Sequence, residues 1–192
     1  DSFSARVEAN AVRFGQRPAI VFEGRTLTWS ELNEEANRYA QYFKGQGLER
    51  GDTVSLIMEN RVEFLALLIG LNKLGVTIGL INTNLNGRPL AHCVNVTNSK
   101  KCIFGAEVAA RMEEVKAELS LSEGEDYYVV ADGDNAPSLN WAIDLDSASD
   151  DASRDNPPDT VETTIGETAF YIFTSGTTGL PKARSEEHTS EL

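Results

Sequence analysis

Residues 53–81 restrict the possible folds of this chain more than any other stretch. Thr53-Val54-Ser55-Leu56-Ile57-Met58 is almost continuously apolar, the pattern of a strand covered on both faces within a parallel sheet. Glu59-Asn60 turns the chain, residues 62–74 form a dense apolar helix, Gly75 stops it, and residues 76–81 are a second apolar strand. Strand, helix and strand joined this closely make one βαβ unit, whose strands lie parallel in a single sheet. The densest part of the helix contains Glu63 and ends at Asn72-Lys73, well short of the roughly 20 apolar residues that cross a bilayer.

The same alternation extends both ways. Phe3, Val7, Ala11 and Phe14 recur at helical spacing, and Gly15 and Pro18 close that helix. Ala19 to Phe22 and Arg25 to Thr28 flank Glu23-Gly24 and read as a β-hairpin. Thr28 and Glu31 form a capping box for the next helix, whose buried stripe is Leu32, Ala36, Tyr39, Ala40 and Phe43 and whose end lies at Gly45 and Gly47. Further on come a helix from Pro89, a strand over 101–104, a helix with Val108, Met112, Val115 and Leu119 on one face, and a strand over 127–130. The expected fold is α/β, a mostly parallel sheet with flanking helices. Residues 132–160 break the pattern. They are rich in Asp, Ser, Asn and Pro around one apolar island at 141–145, and read as a surface connection whose acids, from Asp144 to Asp159, form a solvated linker.

Composition removes several function classes. Hydrophobic residues at 41% and charged residues at 24% describe a globular chain rather than a disordered one. A formal charge of −13 repels nucleic acid, so a nucleic-acid partner is not expected. Cys93 and Cys102 lack paired CxxC spacing and read as reduced core thiols of a cytoplasmic protein. His92 beside Cys93 reads as structural or solvated, since one histidine with one cysteine makes no metal site. Glu59 reads as a turn residue. No basic n-region precedes an apolar run at the start, so no secretory signal is expected there, and the missing Met suggests truncation.

Phosphate chemistry is indicated by Tyr171-Ile172-Phe173-Thr174-Ser175-Gly176-Thr177-Thr178-Gly179-Leu180-Pro181-Lys182. An apolar strand runs into a loop of hydroxyls, glycines and a lysine. Glycine lets backbone N–H groups approach phosphate oxygens, the hydroxyls add hydrogen bonds, and the lysine adds charge. The run is not a Walker A sequence, because Pro181 rather than Gly precedes Lys182, and no helix N-terminus is expected after it. A bare Thr-Ser-Gly-Thr-Thr-Gly reads as a polar turn; the whole run following a strand points to phosphate.

Residues 171–182 resemble the phosphate loop of the acyl-adenylate-forming (AMP-binding) superfamily, which includes acyl-CoA synthetases, luciferases and peptide-synthetase adenylation domains. Leu27-Thr28-Trp29-Ser30-Glu31-Leu32-Asn33 and Gly51-Asp52-Thr53-Val54 resemble early elements of these enzymes. Lys73-Leu74-Gly75 with Leu80-Ile81-Asn82-Thr83-Asn84-Leu85 is similar to the fatty acid transport protein and very-long-chain acyl-CoA synthetase branch. The resemblance implies a fatty acid–CoA ligase that uses ATP with Mg²⁺, forms an acyl-adenylate, and lets CoA displace AMP. It implies phosphate contact by Thr174, Ser175, Gly176, Thr177, Thr178 and Gly179, with charge from Lys182. The catalytic residues, the metal-binding Glu and the acyl pocket are expected beyond Ala183, so the chain alone is expected to be inactive. A cytoplasmic location follows, with peripheral membrane association of the full-length protein open. Other carboxylate-activating ligases, for medium-chain or aromatic acids, and a fatty acid uptake or binding protein of the same fold are the alternatives. After Ala183 the chain reads Arg184-Ser185-Glu186-Glu187-His188-Thr189-Ser190-Glu191-Leu192, which resembles the translation of a sequencing adapter. The expected organisation is therefore an incomplete N-terminal domain over 1–183 and a non-native tail over 184–192, with no fixed contacts from Ser185 onward.

Overall fold

A computed structural model of the chain describes residues 2–133, 137–164, 166–174 and 181–187. Helix α1 (Phe3–Phe14) leads into the hairpin β1 (Pro18–Phe22) and β2 (Arg25–Thr28), then α2 (Trp29–Gly45). The parallel units follow as β3 (Thr53–Ile57), α3 (Val62–Lys73), β4 (Thr77–Leu80), α4 (Gly87–Val96), β5 (Lys101–Gly105), α5 (Ala109–Val115) and β6 (Tyr127–Val130). The short β7 (Ile143–Asp144) and α6 (Leu145–Ser149) precede β8 (Thr168–Thr174) and β9 (Lys182–Glu187). The main sheet has the order β7-β6-β5-β3-β4-β8-β9, parallel throughout except for the antiparallel pair β8–β9.

Alternate strand residues feed two cores, one on each face, which is why these strands read as continuously apolar. Val54, Leu56, Ile78, Ile103 and Tyr128 meet α2 and α3 on one side. Ile57, Cys102, Phe104, Tyr127 and Val129 meet α4 and α5 on the other. The hairpin turn places Glu23 at φ 47° and Gly24 at φ 79°, the positive pair that a tight two-residue hairpin needs. Thr28 and Glu31 make both bonds of the capping box, and the whole expected stripe of α2 is buried. Helix α4 begins at Gly87, ahead of Pro89, because proline fits the first turn, where its missing N–H has no partner to lose. The helical stretch after β5 is split into short 3₁₀ turns on either side of α5.

Helices α2 and α3 cross closely at Gly70. A Cβ there would lie 2.4 Å from the Ala36 carbonyl oxygen and 3.2 Å from the Ala40 nitrogen. Alanine normally strengthens a helix interior relative to glycine by up to about 1 kcal/mol. At Gly70 the helices must part instead, and Gly70→Ala is expected to destabilise the chain by about 1–3 kcal/mol. Gly45→Ala, where nothing lies within 4 Å, serves as the comparison and should be neutral or slightly stabilising. Urea midpoints measure both; a Gly70→Ala midpoint at or above that of the parent would refute the close-crossing argument.

Two expectations are corrected. Residues 137–164 are not a solvated linker: β7 pairs with β6, and Trp141 and Leu145 are buried. Trp141 stacks on Phe104 at 5.3 Å between ring centroids. Three of these acids have definite partners: Asp144 caps α6, Asp146 accepts from the Tyr39 hydroxyl at 3.1 Å and Asp159 pairs with Lys44 at 2.5 Å. Burial by itself would raise the Glu35 carboxyl, but hydrogen bonds from Arg154 and Arg38 outweigh it and hold it below the usual glutamate range. Part of the polar composition reflects bonding to a polar face of α2, while Asp150 and Asp151 stay exposed to solvent.

The second correction concerns the tail. Ser185, Glu186 and Glu187 take ladder positions opposite Tyr171, Phe170 and Thr168, so fixed backbone contacts continue past Ser185. Strand pairing joins backbone to backbone and asks little of the side chains. His188 to Leu192 lie outside the described residues.

Candidate phosphate site at the end of β8

Strand β8 is held between β4 and β9, with Gly79 opposite Tyr171 and Leu80 opposite Ile172. The Thr77 hydroxyl donates to the Thr168 carbonyl at 2.9 Å and ties down its start. Beyond Leu80 the strand continues through Phe173 to Thr174, so the connection leaves from the carboxyl ends of the parallel strands, where α/β sheets place their ligands. Thr174 pairs directly with Lys182, the exposed first residue of β9. The connection, residues 175–181, is longer than the about two to five residues that usually suffice for a hairpin. It runs from strand to strand, so this is not a Walker A arrangement. Of the expected phosphate contacts, Ser175, Gly176, Thr177, Thr178 and Gly179 lie outside the described residues, whereas Thr174 and Lys182 stand at the two ends of the connection.

One contact at this site was missed from sequence. His92, read as structural or solvated, places Nε2 3.2 Å from the carbonyl oxygen of Pro181. The partners lie 89 residues apart in the chain, and no local pattern announces such a contact.

A cavity of about 570 Å³ opens beside the start of the connection, walled by Phe64, Leu80, Ile172 and Phe173 with Glu59 and Asn82 among its polar residues. It offers an apolar wall next to a polar edge. Glu59 does the work of a turn, its N–H donating to Glu107 Oε1 at 2.8 Å. A second cavity, about 590 Å³, lies by the hairpin and includes Arg25, Arg38, Arg61, Glu35, Glu63 and Asp132. Its guanidinium groups are engaged by neighbouring carboxylates: Arg61 with Glu107 at 3.0 Å, Arg25 with Glu63 at 2.6 Å and Arg38 with Glu35 at 2.8 Å. That makes it an ion-pair network rather than a ready anion site.

Cys93 and Cys102 are free and buried, and burial pushes the Cys93 thiol up to about 11 and Cys102 higher still. Thiols so protonated are poor nucleophiles and poor ligands. Among the described residues no group of three His, Cys, Asp or Glu side chains could hold a metal ion.

A mostly parallel α/β sheet ending in this hydroxyl- and glycine-rich connection is the N-terminal part of an acyl-adenylate-forming domain. The chain belongs to the AMP-binding enzyme family, whose family model matches residues 7–189. It is 34% identical over 189 residues to long-chain fatty acid transport protein 1 of Bos taurus, covering 95% of this chain and 28% of that protein. It is 29% identical over 178 residues to the medium/long-chain-fatty-acid–CoA ligase FadD6 of Mycobacterium tuberculosis, covering 93% and 28%. The expected likeness to the fatty acid transport protein branch is therefore borne out. Among solved structures, the inhibitor-bound N-terminal domain of FACL13 from Mycobacterium tuberculosis superposes with a TM-score of 0.80 at 26% identity, over 97% of this chain and 44% of that one. The anthranilate CoA ligase AuaEII, in complex with anthranoyl-AMP, shares the fold with a TM-score of 0.86 at 20% identity, over 98% and 35%. The chain spans about 28% of the length of these curated relatives.

Proposed function

We propose that this chain is the N-terminal part of an ATP-dependent fatty acid–CoA ligase. The observation that carries this reading is the AMP-binding match across residues 7–189, which includes the run from Tyr171 to Lys182. In such a ligase the fatty acid carboxylate attacks the α-phosphate of ATP, pyrophosphate leaves, and the thiol of CoA displaces AMP from the acyl-adenylate. Charge develops on phosphate oxygens, so the demand on the protein is fixed donors and positive charge. Thr174, Ser175, Thr177 and Thr178 supply hydroxyls, Gly176 and Gly179 let backbone N–H groups come close, and Lys182 supplies the charge. Mg²⁺ enters with the ATP and neutralises phosphate charge when bound; no described residue of this chain is assigned to it.

The remaining machinery belongs to sequence beyond Ala183, so the 192-residue chain is expected to turn over no ATP with a fatty acid. The proposal takes 184–192 as a non-native, adapter-like tail although the family match itself runs to residue 189, a point that recovery of the coding sequence past Ala183 decides. It also places the protein in the cytoplasm, in keeping with two free thiols, with peripheral contact to the membranes that hold its substrate. No helix among the described residues is long and apolar enough to cross a membrane.

A second reading, uptake or binding of fatty acid without ligation, is favoured by the transport protein names among the relatives. The test uses the full-length protein and measures AMP and pyrophosphate release across acids of increasing chain length. Release is expected only with long-chain acids, and Lys182→Ala is expected to lower the rate on the order of 10- to 1,000-fold. Glu59→Ala should stay near the parent rate. A preference for short or aromatic acids would keep the family and remove the fatty acid assignment, and fatty acid binding with no release from any acid would favour the second reading.

A further inference from the structure

We propose that His92 is a positioning residue for Lys182: its imidazole holds the Pro181 carbonyl, and with it the peptide plane carrying the Lys182 nitrogen, at the entry to β9. The proposal rests on the phosphate-site reading above. A carbonyl oxygen only accepts, so the 3.2 Å contact requires that His92 Nε2 carry a proton and donate. The peptide unit is planar, and fixing the Pro181 oxygen also fixes the direction of the Lys182 N–H. That residue is held from its other side by its pairing with Thr174. Pro181 has no N–H of its own and a φ set by its ring, so its carbonyl is the backbone group available for anchoring this step of the chain.

The base of His92 is rigid. It stands on α4, where its neighbours Leu90, Ala91, Cys93 and Val94 are all buried in the core beneath the sheet. The imidazole itself is half-buried. A ring fixed by one packed helix therefore grips the start of a strand whose first side chain is the ammonium assigned to phosphate. The rigid support matters because Lys182 is exposed, and a long exposed side chain finds a phosphate reliably only from a well-placed Cα.

The experiment uses the full-length protein and compares His92→Ala, His92→Asn, His92→Gln, Lys182→Ala and the His92→Ala/Lys182→Ala pair by pyrophosphate release at varied ATP and varied fatty acid. His92→Ala is expected to lower kcat/KM for ATP by about 3- to 10-fold, the effect of one hydrogen bond, and to leave KM for the fatty acid unchanged. The amide nitrogen of glutamine sits where Nε2 does, so His92→Gln should recover to within about twofold of the parent, whereas the shorter asparagine should not. The double variant should match Lys182→Ala alone, because a residue acting through Lys182 has nothing to position once the ammonium is gone. Equal impairment of the Ala and Gln variants, additive losses in the double variant, or a His92→Ala at parent kcat/KM beside an impaired Lys182→Ala would each overturn the proposal. A Lys182→Ala at the parent rate would instead remove the phosphate-site reading, and this proposal with it.

Discussion

Replacing Lys73 by Met is expected to destabilise the chain by about 3–5 kcal/mol, a large share of the roughly 5–15 kcal/mol that holds a typical domain together. Lys73 is fully buried, and its Nζ donates to Glu8 Oε1, Asn33 Oδ1 and Asn37 Oδ1, each at 2.7 Å. Burial pushes its pKa down, opposed by the hydrogen bond and charge of Glu8. Through this one ammonium α3 is tied to α1 and α2, and Asn156, which accepts from Asn33 and Asn37, brings the 137–164 segment to the same point. Methionine fills much of the volume but leaves a carboxylate and three amide oxygens, those of Asn33, Asn37 and Asn156, facing it. Among the described residues Glu8 then keeps the Thr160 hydroxyl, at 2.8 Å. The loss comes from orphaned acceptors more than from any large net gain of the ion pair itself. Adding Glu8→Gln to Lys73→Met should therefore recover part of the stability. Lys44→Met provides the contrast: its pair with Asp159 joins an exposed lysine to a half-buried carboxylate near the surface and should be worth no more than about 1 kcal/mol. Urea denaturation of the purified chain checks all three, and a Lys73→Met midpoint no lower than that of Lys44→Met would sink the argument.

The largest effect on activity is expected from Gly176→Val and Gly179→Val in the full-length protein, a loss of pyrophosphate release on the order of 1,000-fold or more. On the proposed reading, valine brings a branched side chain to a place where backbone has to approach phosphate, and it disfavours any positive φ that glycine adopts freely. One misplaced donor to a developing oxyanion typically lowers a rate on the order of 100- to 1,000-fold, and a displaced loop removes several at once. Lys182→Ala takes away charge but no backbone donor, so its loss should be the smaller. The ranking is the informative result. If either valine variant releases pyrophosphate at the parent rate, Thr174 to Lys182 is not a phosphate site, whatever the fold.

Much of this protein was decided within short windows of its sequence. Thr28 and Glu31 are three residues apart and cap the same helix turn; Glu23-Gly24 supplies the positive φ pair of its hairpin; the apolar runs at 53–58 and 76–81 become parallel strands because each side chain finds a core on one face or the other. The type and order of residues from Tyr171 to Lys182 indicated phosphate chemistry for the same reason, since glycine, hydroxyl and ammonium carry their chemistry wherever the chain puts them. Tertiary structure alone decided that β5 lies beside β3 while β8 lies beside β4, and that the Asp-rich stretch before β8 is a packed segment. It alone paired Lys73 with Glu8, 65 residues away, and His92 with Pro181. Periodicity reports how deeply each residue is buried, a property of one position at a time. A buried ammonium or an imidazole on a carbonyl is a property of two positions, and chain folding brings them together only after the local elements have formed and packed.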